Sequence, residues 1–336
     1  MQIDSETTSD PVEPTRRQRI VRLLCWAASV GAGIFLFLRL FGLEFGYPLI
    51  GLIAYTPWVA AALLIVAVGQ LLLRARLPAL CSAIAGVVLL SLLVPRMVPS
   101  DQREVTGAEV TIMSVNAYVG SADMDAVFTL VERHQPDVLC VQELTNEVHR
   151  VVNTRDDWDF EHGFVAPNDT NAAGAGCYSQ LSATETNAFD GDSLFHQNEF
   201  EVRIDDDVAF RFANIHTAAP VSSERVSMWR DDFAGIPRPE GDVPWILAGD
   251  FNATVDHGVL RGLLDDGYQD AASLMGDGLT ATWRMPGYFD GNLRAPGLVL
   301  DHVLVDESIR VEDFQVLNDV GSDHRPILAT LTVPST

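Results

Sequence analysis

The chain has 336 residues, 48% of them hydrophobic, with 46 acidic side chains against 22 arginines, no lysine and a net charge of −24. That length closes one large domain or two modest ones, and the charge argues against avid, nonspecific binding to duplex nucleic acid, which it repels at long range. The average hides two unlike parts: residues 1–100 carry eight arginines and five acids, a net of +3, whereas residues 101–336 carry fourteen and forty-one, a net of −27.

Residues 1–22 read as an Arg-rich cytoplasmic N-terminus, and residues 23–95 as a three-span transmembrane region. Its apolar runs, 23–41, 49–73 and 77–94, each approach the roughly 20 residues that a helix needs to cross a bilayer. Arg39 interrupts the first near its end, where a long side chain can snorkel to the interface. Tyr47, Tyr55 and Trp58 flank the start of the second, as interfacial aromatics do. Arg16, Arg17, Arg19 and Arg22 precede the first run, and Arg74 and Arg76 separate the last two. The positive-inside rule makes those six cytoplasmic and outvotes Arg39 and Arg96. Three spans then predict a multi-pass protein of the cell membrane with everything after about residue 95 extracytoplasmic. A signal peptide would show one short apolar core and a small-residue cleavage site, a pattern these three runs do not match. Pro95, Pro99 and the polar residues beyond them suggest a linker over 96–108.

The acidic remainder, 109–336, reads as a single catalytic domain. β-Branched and apolar runs predict strands at 110–115, 138–141, 208–215, 245–248, 298–305 and 327–333. Helical spacing of Met124, Val127, Phe128 and Val131 predicts a helix over 124–133, and a second is expected around 225–233. Strands mixed with helices indicate an α/β or α+β sandwich rather than a barrel. Residues 167–192, rich in Asn, Gly, Ala and Thr, read as loop or edge structure.

The chemistry lies in the residues at the strand ends. The first strand ends in Asn116, the second runs into Gln142-Glu143, and the third ends in His216-Thr217. The fourth ends in Gly249-Asp250-Phe251-Asn252, the fifth holds Asp301-His302, and Ser322-Asp323-His324-Arg325-Pro326 precedes the last. Rims of layered α/β folds are where sites form. Each of these groups can bind a hard cation, orient a water or move a proton. Mg²⁺ favours oxygen ligands, so carboxylates such as Glu143 and Asp323 with the Asn116 amide suit it. A carboxylate outside that set can take a proton from water, and a His beside an Asp stays charged or correctly oriented.

These motifs, in this order and each after a predicted strand, resemble the endonuclease/exonuclease/phosphatase superfamily over residues 110–333. The resemblance implies a four-layer α/β (α+β) sandwich of two packed mixed β-sheets flanked by helices, here preceded by about three transmembrane helices. It implies that Glu143 is the main ligand of Mg²⁺, with Mn²⁺ or Ca²⁺ as alternatives, supported by Asn116 and Asp323. Asp250 would orient or deprotonate the attacking water, with Asn252 positioning it. His324, held by Asp301, would contact the scissile phosphate, and His216 would be a second phosphate contact or a general acid. Residues 174–179 match the family's Gly-x-Ala-x-x-Ser stretch only loosely. The implied activity is hydrolysis of phosphomonoesters or phosphodiesters, with a lipid headgroup, a small organic phosphate or nucleic acid as substrate and no protein partner. An extracellular nuclease, which an arginine patch of Arg225, Arg230 and Arg294 would serve, and a non-catalytic receptor on a hydrolase scaffold are the alternatives.

Other polar features read as structural. His302 should point away from Asp301 by strand alternation. His134, His149, His162, His196 and His257 stand singly, and Asp205-Asp206-Asp207 reads as a solvated hairpin turn. Trp283 and Tyr288 suit either the cleft or packing. Cys25 and Cys81 lie in apolar runs. Cys140 and Cys177 could pair in an oxidising compartment, but two free thiols are the expectation.

Overall fold

The computed structural model describes residues 15–155, 160, 162–169, 172–189, 193–284 and 296–335. Tyr288 and Arg294 lie outside the described residues. The chain divides into two compact units, one of Met1–Leu40 with Pro57–Ser91 and one of Phe41–Thr56 with Leu92–Thr336.

Four helices come first: α1 (Arg16–Phe41), α2 (Leu49–Ala54), α3 (Thr56–Leu72) and α4 (Arg76–Leu93). The first unit is built on α1, α3 and α4, whereas α2 belongs to the second. In the first unit large apolar side chains such as Leu23, Val68 and Leu72 are exposed, while polar ones turn inward. Ser29 Oγ donates to the Pro78 carbonyl and lies 3.0 Å from Ser82 Oγ, and Gln70 Nε2 donates to the Cys25 carbonyl. Gly86 brings α4 close to α3: a Cβ there would lie 3.2 Å from the Ala60 carbonyl oxygen. Polar glue inside, small residues at contacts and apolar faces outside are how helices associate in lipid.

Three long spans were expected, but among the described residues two helices are long and apolar enough to cross a membrane by length and composition, Arg16–Phe41 and Arg76–Arg96. The run over 49–73 breaks at Tyr55. Its first part is the short helix α2, and α3 is left with 17 residues. The break has a local cause: Thr56 Oγ1 donates to the Ile53 carbonyl, and Pro57 sits in the first turn of the new helix, where its missing N–H costs nothing. Arg39 is buried rather than splayed outward.

The second unit is built on two six-stranded sheets. The first sheet comprises β1 (Gly107–Asn116), β2 (Val138–Gln142), β3 (His162–Ala166), β4 (Ala175–Ser179), β11 (Arg310–Val316) and β12 (Ile327–Pro334). The second comprises β5 (Ser182–Glu185), β6 (Asn198–Arg203), β7 (Ala209–His216), β8 (Trp245–Asp250), β9 (Tyr268–Asp270) and β10 (Asp301–Asp306). Their strand orders are β11-β12-β1-β2-β4-β3 and β5-β6-β7-β8-β10-β9. Parallel pairs, β1 with β2 and β7 with β8, sit among antiparallel ones, so both sheets are mixed.

Strand alternation sorts the side chains into layers. Val110 and Ile112 of β1 face the core between the sheets with Phe200, Phe210 and Phe212, while Met113 and Val115 face α5 (Met124–His134) and α6 (Asn146–Asn153). On the other side Leu247 and Ile215 pack with Trp229 of α7 (Ser223–Gly235) and Leu260 of α8 (Gly258–Asp265). Helix, sheet, sheet, helix: the four layers are those expected. The short helix α9 (Ala271–Leu274) follows β9.

Residues 167–192 do not form only loop or edge structure. They contain β4, which lies between β2 and β3 and is wholly buried. Its small residues are what the position requires: a Cβ on Gly174 would lie 2.0 Å from the Leu144 carbonyl oxygen, and one on Gly176 would lie 2.6 Å from the Leu144 side chain. Cys140 and Cys177 are not free thiols. They face each other across β2 and β4 and are joined in a disulfide. Within 96–108, Ser100 N–H donates to the Leu274 carbonyl and Gln102 forms a reciprocal pair with Val311, so this stretch is docked on the domain that follows.

Candidate active site

The sheets bring one set of strand ends to a common rim. β1, β2, β7 and β8 deliver Asn116, Glu143, His216 and Asp250 at their C-terminal ends. β10 runs antiparallel to β8, so its first residue, Asp301, pairs with Asp250. β12 runs antiparallel to β1 and begins just after His324. Six separate stretches therefore meet at one place for topological reasons.

Hydrogen bonds fix each side chain. Asn116 Nδ2 donates to Asp250 Oδ2 at 3.1 Å and to Glu143 Oε1 at 3.3 Å. Glu143 stands in a left-handed turn (φ 56°), and its Oε2 accepts from Val119 N–H at 2.8 Å. Asn252, also left-handed (φ 45°), gives its N–H to Asp250 Oδ1 and its amide to the Thr217 carbonyl. His324 Nδ1 lies 2.8 Å from Asp301 Oδ2, and its Nε2 lies 3.5 Å from Asp250 Oδ2. His216 Nε2 is 3.9 Å from both Glu143 Oε1 and Asp250 Oδ2. Its ring stacks on Phe195 at 4.1 Å between centroids.

Burial and charge set the protonation states. Burial pushes the Asp250 carboxyl up to about 7, the Asp301 and Glu143 carboxylates add to this, and the His324 charge opposes it. Glu143 and Asp323 are also raised, first by burial. Burial lowers His324, but Asp301, Asp250 and Asp323 outweigh it and push the imidazole up to about 10. His216, fully buried and beside that cation, is lowered to about 3 and stays neutral. Burial first, and neighbouring carboxylates second, hold these three groups back from ionisation against the pull of the His324 charge.

A hard dication among these carboxylates would favour their charged forms. Glu143 offers carboxylate oxygens, Asn116 turns its Nδ2 toward the carboxylates while its Oδ1 accepts from Tyr118 N–H, and Asp323 Oδ1 is buried with no hydrogen-bond partner among the described residues. Asp250, Asp301 and His324 also cluster closely enough to hold a metal. Yet the short Asp301–His324 hydrogen bond and the raised His324 pKa mark a charged imidazolium, which has no lone pair to give.

All eight residues singled out in the sequence, Asn116, Glu143, His216, Asp250, Asn252, Asp301, Asp323 and His324, stand at or beside this rim. Asp323 is turned aside, with Oδ2 accepting from Trp283 Nε1 at 3.1 Å. Several supporting residues escape a reading of the sequence. Thr282 Oγ1 accepts from the Leu300 and Asp301 amides. Below the site a buried amide chain crosses between the sheets, from Ser114 through Gln142 and Asn214 to Asn198. Ser114 and Asn214 sit two residues before Asn116 and His216, on the same strand faces, and that period is the signal that could have found them. His302 is buried behind the site, bridging Asp270 Oδ1 and the Ala253 carbonyl. Asp205 Oδ1 caps its own hairpin turn by accepting from Asp207 and Val208 N–H.

A profile of the Endonuclease/Exonuclease/phosphatase family matches residues 113–324. The chain belongs to that family. No curated protein matches it. Among solved structures, Danio rerio TDP2 complexed with single-strand DNA product is 16% identical, with a TM-score of 0.53 over 67% of this chain and 99% of that one. A humanized D. rerio TDP2 gives 15% identity and a TM-score of 0.52 over the same shares. An endonuclease/exonuclease/phosphatase from Beutenbergia cavernae gives 13% and 0.51, covering 67% of this chain and 72% of that one. These likenesses establish the fold of the family member. As a member of this family, it has the fold and rim of a phosphoester hydrolase.

Proposed function

We propose that this family member is a membrane-anchored, divalent-metal-dependent phosphoesterase whose domain works at the extracytoplasmic face. The observation that carries the chemistry is the juxtaposition of Asp250, poised near neutrality, with the charged His324 3.5 Å away. Glu143, Asn116 and Asp323 would hold Mg²⁺, with Mn²⁺ or Ca²⁺ as alternatives. A cation there supplies charge neutralisation for the phosphoryl group and acidifies water.

The chain's own residues do the rest. Asp250 accepts the proton of the water that attacks phosphorus, and Asn252, bonded to Asp250 through backbone and amide, aims that pair. His324 donates from Nε2 to a phosphoryl oxygen, its charge maintained by Asp301. His216, neutral at physiological pH, fits a hydrogen-bonding contact to the phosphoryl group better than a general acid. Water's oxygen bonds to phosphorus as the ester oxygen leaves, taking its proton from solvent.

Two observations support the membrane setting. The first unit exposes large apolar side chains and buries Ser29, Gln70 and Ser82 in hydrogen bonds among its helices. The Cys140–Cys177 disulfide suits an oxidising compartment. The charge of −27 over residues 101–336 favours a phospholipid headgroup or small organic phosphate over duplex nucleic acid.

The test is a substrate panel presented to the purified full chain in detergent: anionic phospholipids, small organic phosphates, single-stranded DNA and plasmid, each with Mg²⁺ and with EDTA. EDTA-sensitive turnover of a headgroup or small phosphate is the expected result. Turnover confined to DNA would establish the nuclease alternative, and none on any substrate would leave a binding protein.

A further inference from the structure

The loop after Asn252 is gripped by two segments that contribute nothing to the chemistry. Glu44, just past α1, is buried, and its Oε1 accepts the N–H of Gly258 at the start of α8. The Glu44 carbonyl in turn accepts from the Arg230 guanidinium. Ile50 of α2 is fully buried in the core against α7 and α8, and its carbonyl lies 3.0 Å from His257 Nε2. Thr254 N–H donates to His257 Nδ1, so Nε2 carries the proton and donates to Ile50. Gly42 and Gly258 touch so closely that a Cβ on Gly258 would lie 2.9 Å from Gly42 Cα.

The second segment comes after α4. Arg96 makes a two-pronged pair with Asp256, both contacts 2.9 Å, with the side chains 7% and 2% exposed. Four of the six residues after Asn252 are thus tied down: Thr254 through His257, Asp256 by Arg96, His257 by Ile50 and Gly258 by Glu44. A fifth, Ala253, is held from behind by His302. Asn252 is left-handed, a conformation Asn adopts more readily than other side chains, and beyond its own bonds to Asp250 and Thr217 it is this frame that fixes the chain leaving it.

We infer that Glu44 and Arg96 are positioning residues for Asn252, and that the membrane-flanking segments 41–56 and 92–99 are working parts of the active site rather than tethers. This rests on the reading that Asn252 aims the Asp250–water pair. It also means that a fragment beginning at residue 101 lacks both clamps and is not the catalytic unit.

The experiment uses the full chain in detergent or nanodiscs. Removing Arg96 alone strands a buried carboxylate and endangers the fold. The informative variant is therefore Arg96→Met with Asp256→Leu, which replaces the pair by packing and is expected to melt near the parent temperature. Its kcat on the best phosphoester should fall on the order of tenfold to a hundredfold while KM stays within about twofold. Adding Asn252→Ala should cost nothing further, since both act through one group. Glu44→Ala should behave likewise, and Glu44→Gln, which keeps the acceptor, should restore the rate. Hydrogen exchange at amides 253–258 should accelerate in Arg96→Met/Asp256→Leu and in Glu44→Ala. Unchanged kcat, or losses that add to those of Asn252→Ala, would overturn the inference. If the parent protein turns over no phosphoester, the proposed function fails, and the exchange rates alone decide this point: loop amides as slow as in the parent would sink it.

Discussion

Replacing Asp301 by Asn asks whether His324 owes its charge to the carboxylate behind it. Asp301 Oδ2 sits 2.8 Å from His324 Nδ1 and is the strongest of the three carboxylates that push the imidazole up to about 10 against the pull of burial. One pKa unit corresponds to about 1.4 kcal/mol, so a rise of several units is worth on the order of 3–5 kcal/mol of preference for the charged ring. If Asp301 supplies about half, Asp301→Asn removes roughly 2 kcal/mol, which is about thirtyfold in rate if the charge acts in the transition state. The sign is fixed by linkage. A raised histidine contributes stability that is fully present below its unfolded pKa of about 6.5 and is lost as pH rises through its folded pKa of about 10. The variant should therefore melt lower than the parent at pH 6 and equally at pH 10.5, and the alkaline limb of its kcat/KM profile should move down by one to two pH units. Denaturant melts and pH–rate profiles of the full chain read both. An alkaline limb that stays in place would refute the assignment of His324's charge to Asp301.

The same geometry sets other outcomes. The Cys140–Cys177 bridge closes a segment of 37 residues, which the loop-entropy estimate values at about 4 kcal/mol; Cys140→Ala/Cys177→Ala should lower the thermal midpoint clearly, and a shift under about 2 °C would contradict a structural role. Gly249, at φ 145°, has no room for a side chain, since a Cβ would lie 2.0 Å from the Ile215 carbonyl oxygen; Gly249→Ala should part β7 from β8 beneath His216 and cost more than about 3 kcal/mol in urea unfolding. In the buried Asp270–His302 pair the carboxylate is lowered, because the His302 contacts and the Ser273 hydrogen bonds outweigh burial, and the imidazole is raised, because Asp270 outweighs burial. Asp270's contribution is present above its ordinary pKa and fades in acid, while that of His302 is present below about 6.5 and fades in alkali. His302→Gln should therefore be most destabilising between about pH 4 and 6.5, which midpoints measured across pH will show.

The rim could be read from the chain because its residues follow strands whose apolar, β-branched runs are self-evident. Val110 to Val115 and Trp245 to Ala248 announce themselves, and Asn116 and Asp250 come with them. β4 hid because its Gly174-Ala175-Gly176 run, chosen for close approach to Leu144, has the composition of a loop. β3, β5, β9 and β11 are short or lie toward the sheet edges, where patterning is weak. The disulfide depends on the β2–β4 register, which cysteine spacing does not encode. Residues 49–54 read as part of a span because Ile50 and Ile53 are apolar, yet Ile50 fills a core made by residues more than 140 positions away. Arg96 looks like a membrane-edge charge in the sequence, and only its tertiary partner Asp256 gives it another role.

On the proposed function, Glu143, Asn116, Asp250 and His324 form one phosphoester-cleaving centre that depends on a divalent cation. The most direct measurement is Mg²⁺ binding and turnover by the full chain and by Glu143→Gln, side by side. The parent should bind the ion and lose activity in EDTA, recovering when Mg²⁺ is restored, while Glu143→Gln should bind it at least about tenfold more weakly and turn over correspondingly slowly. Turnover that persists in EDTA, or a Glu143→Gln protein as active as its parent, would contradict a metal-dependent centre built on Glu143.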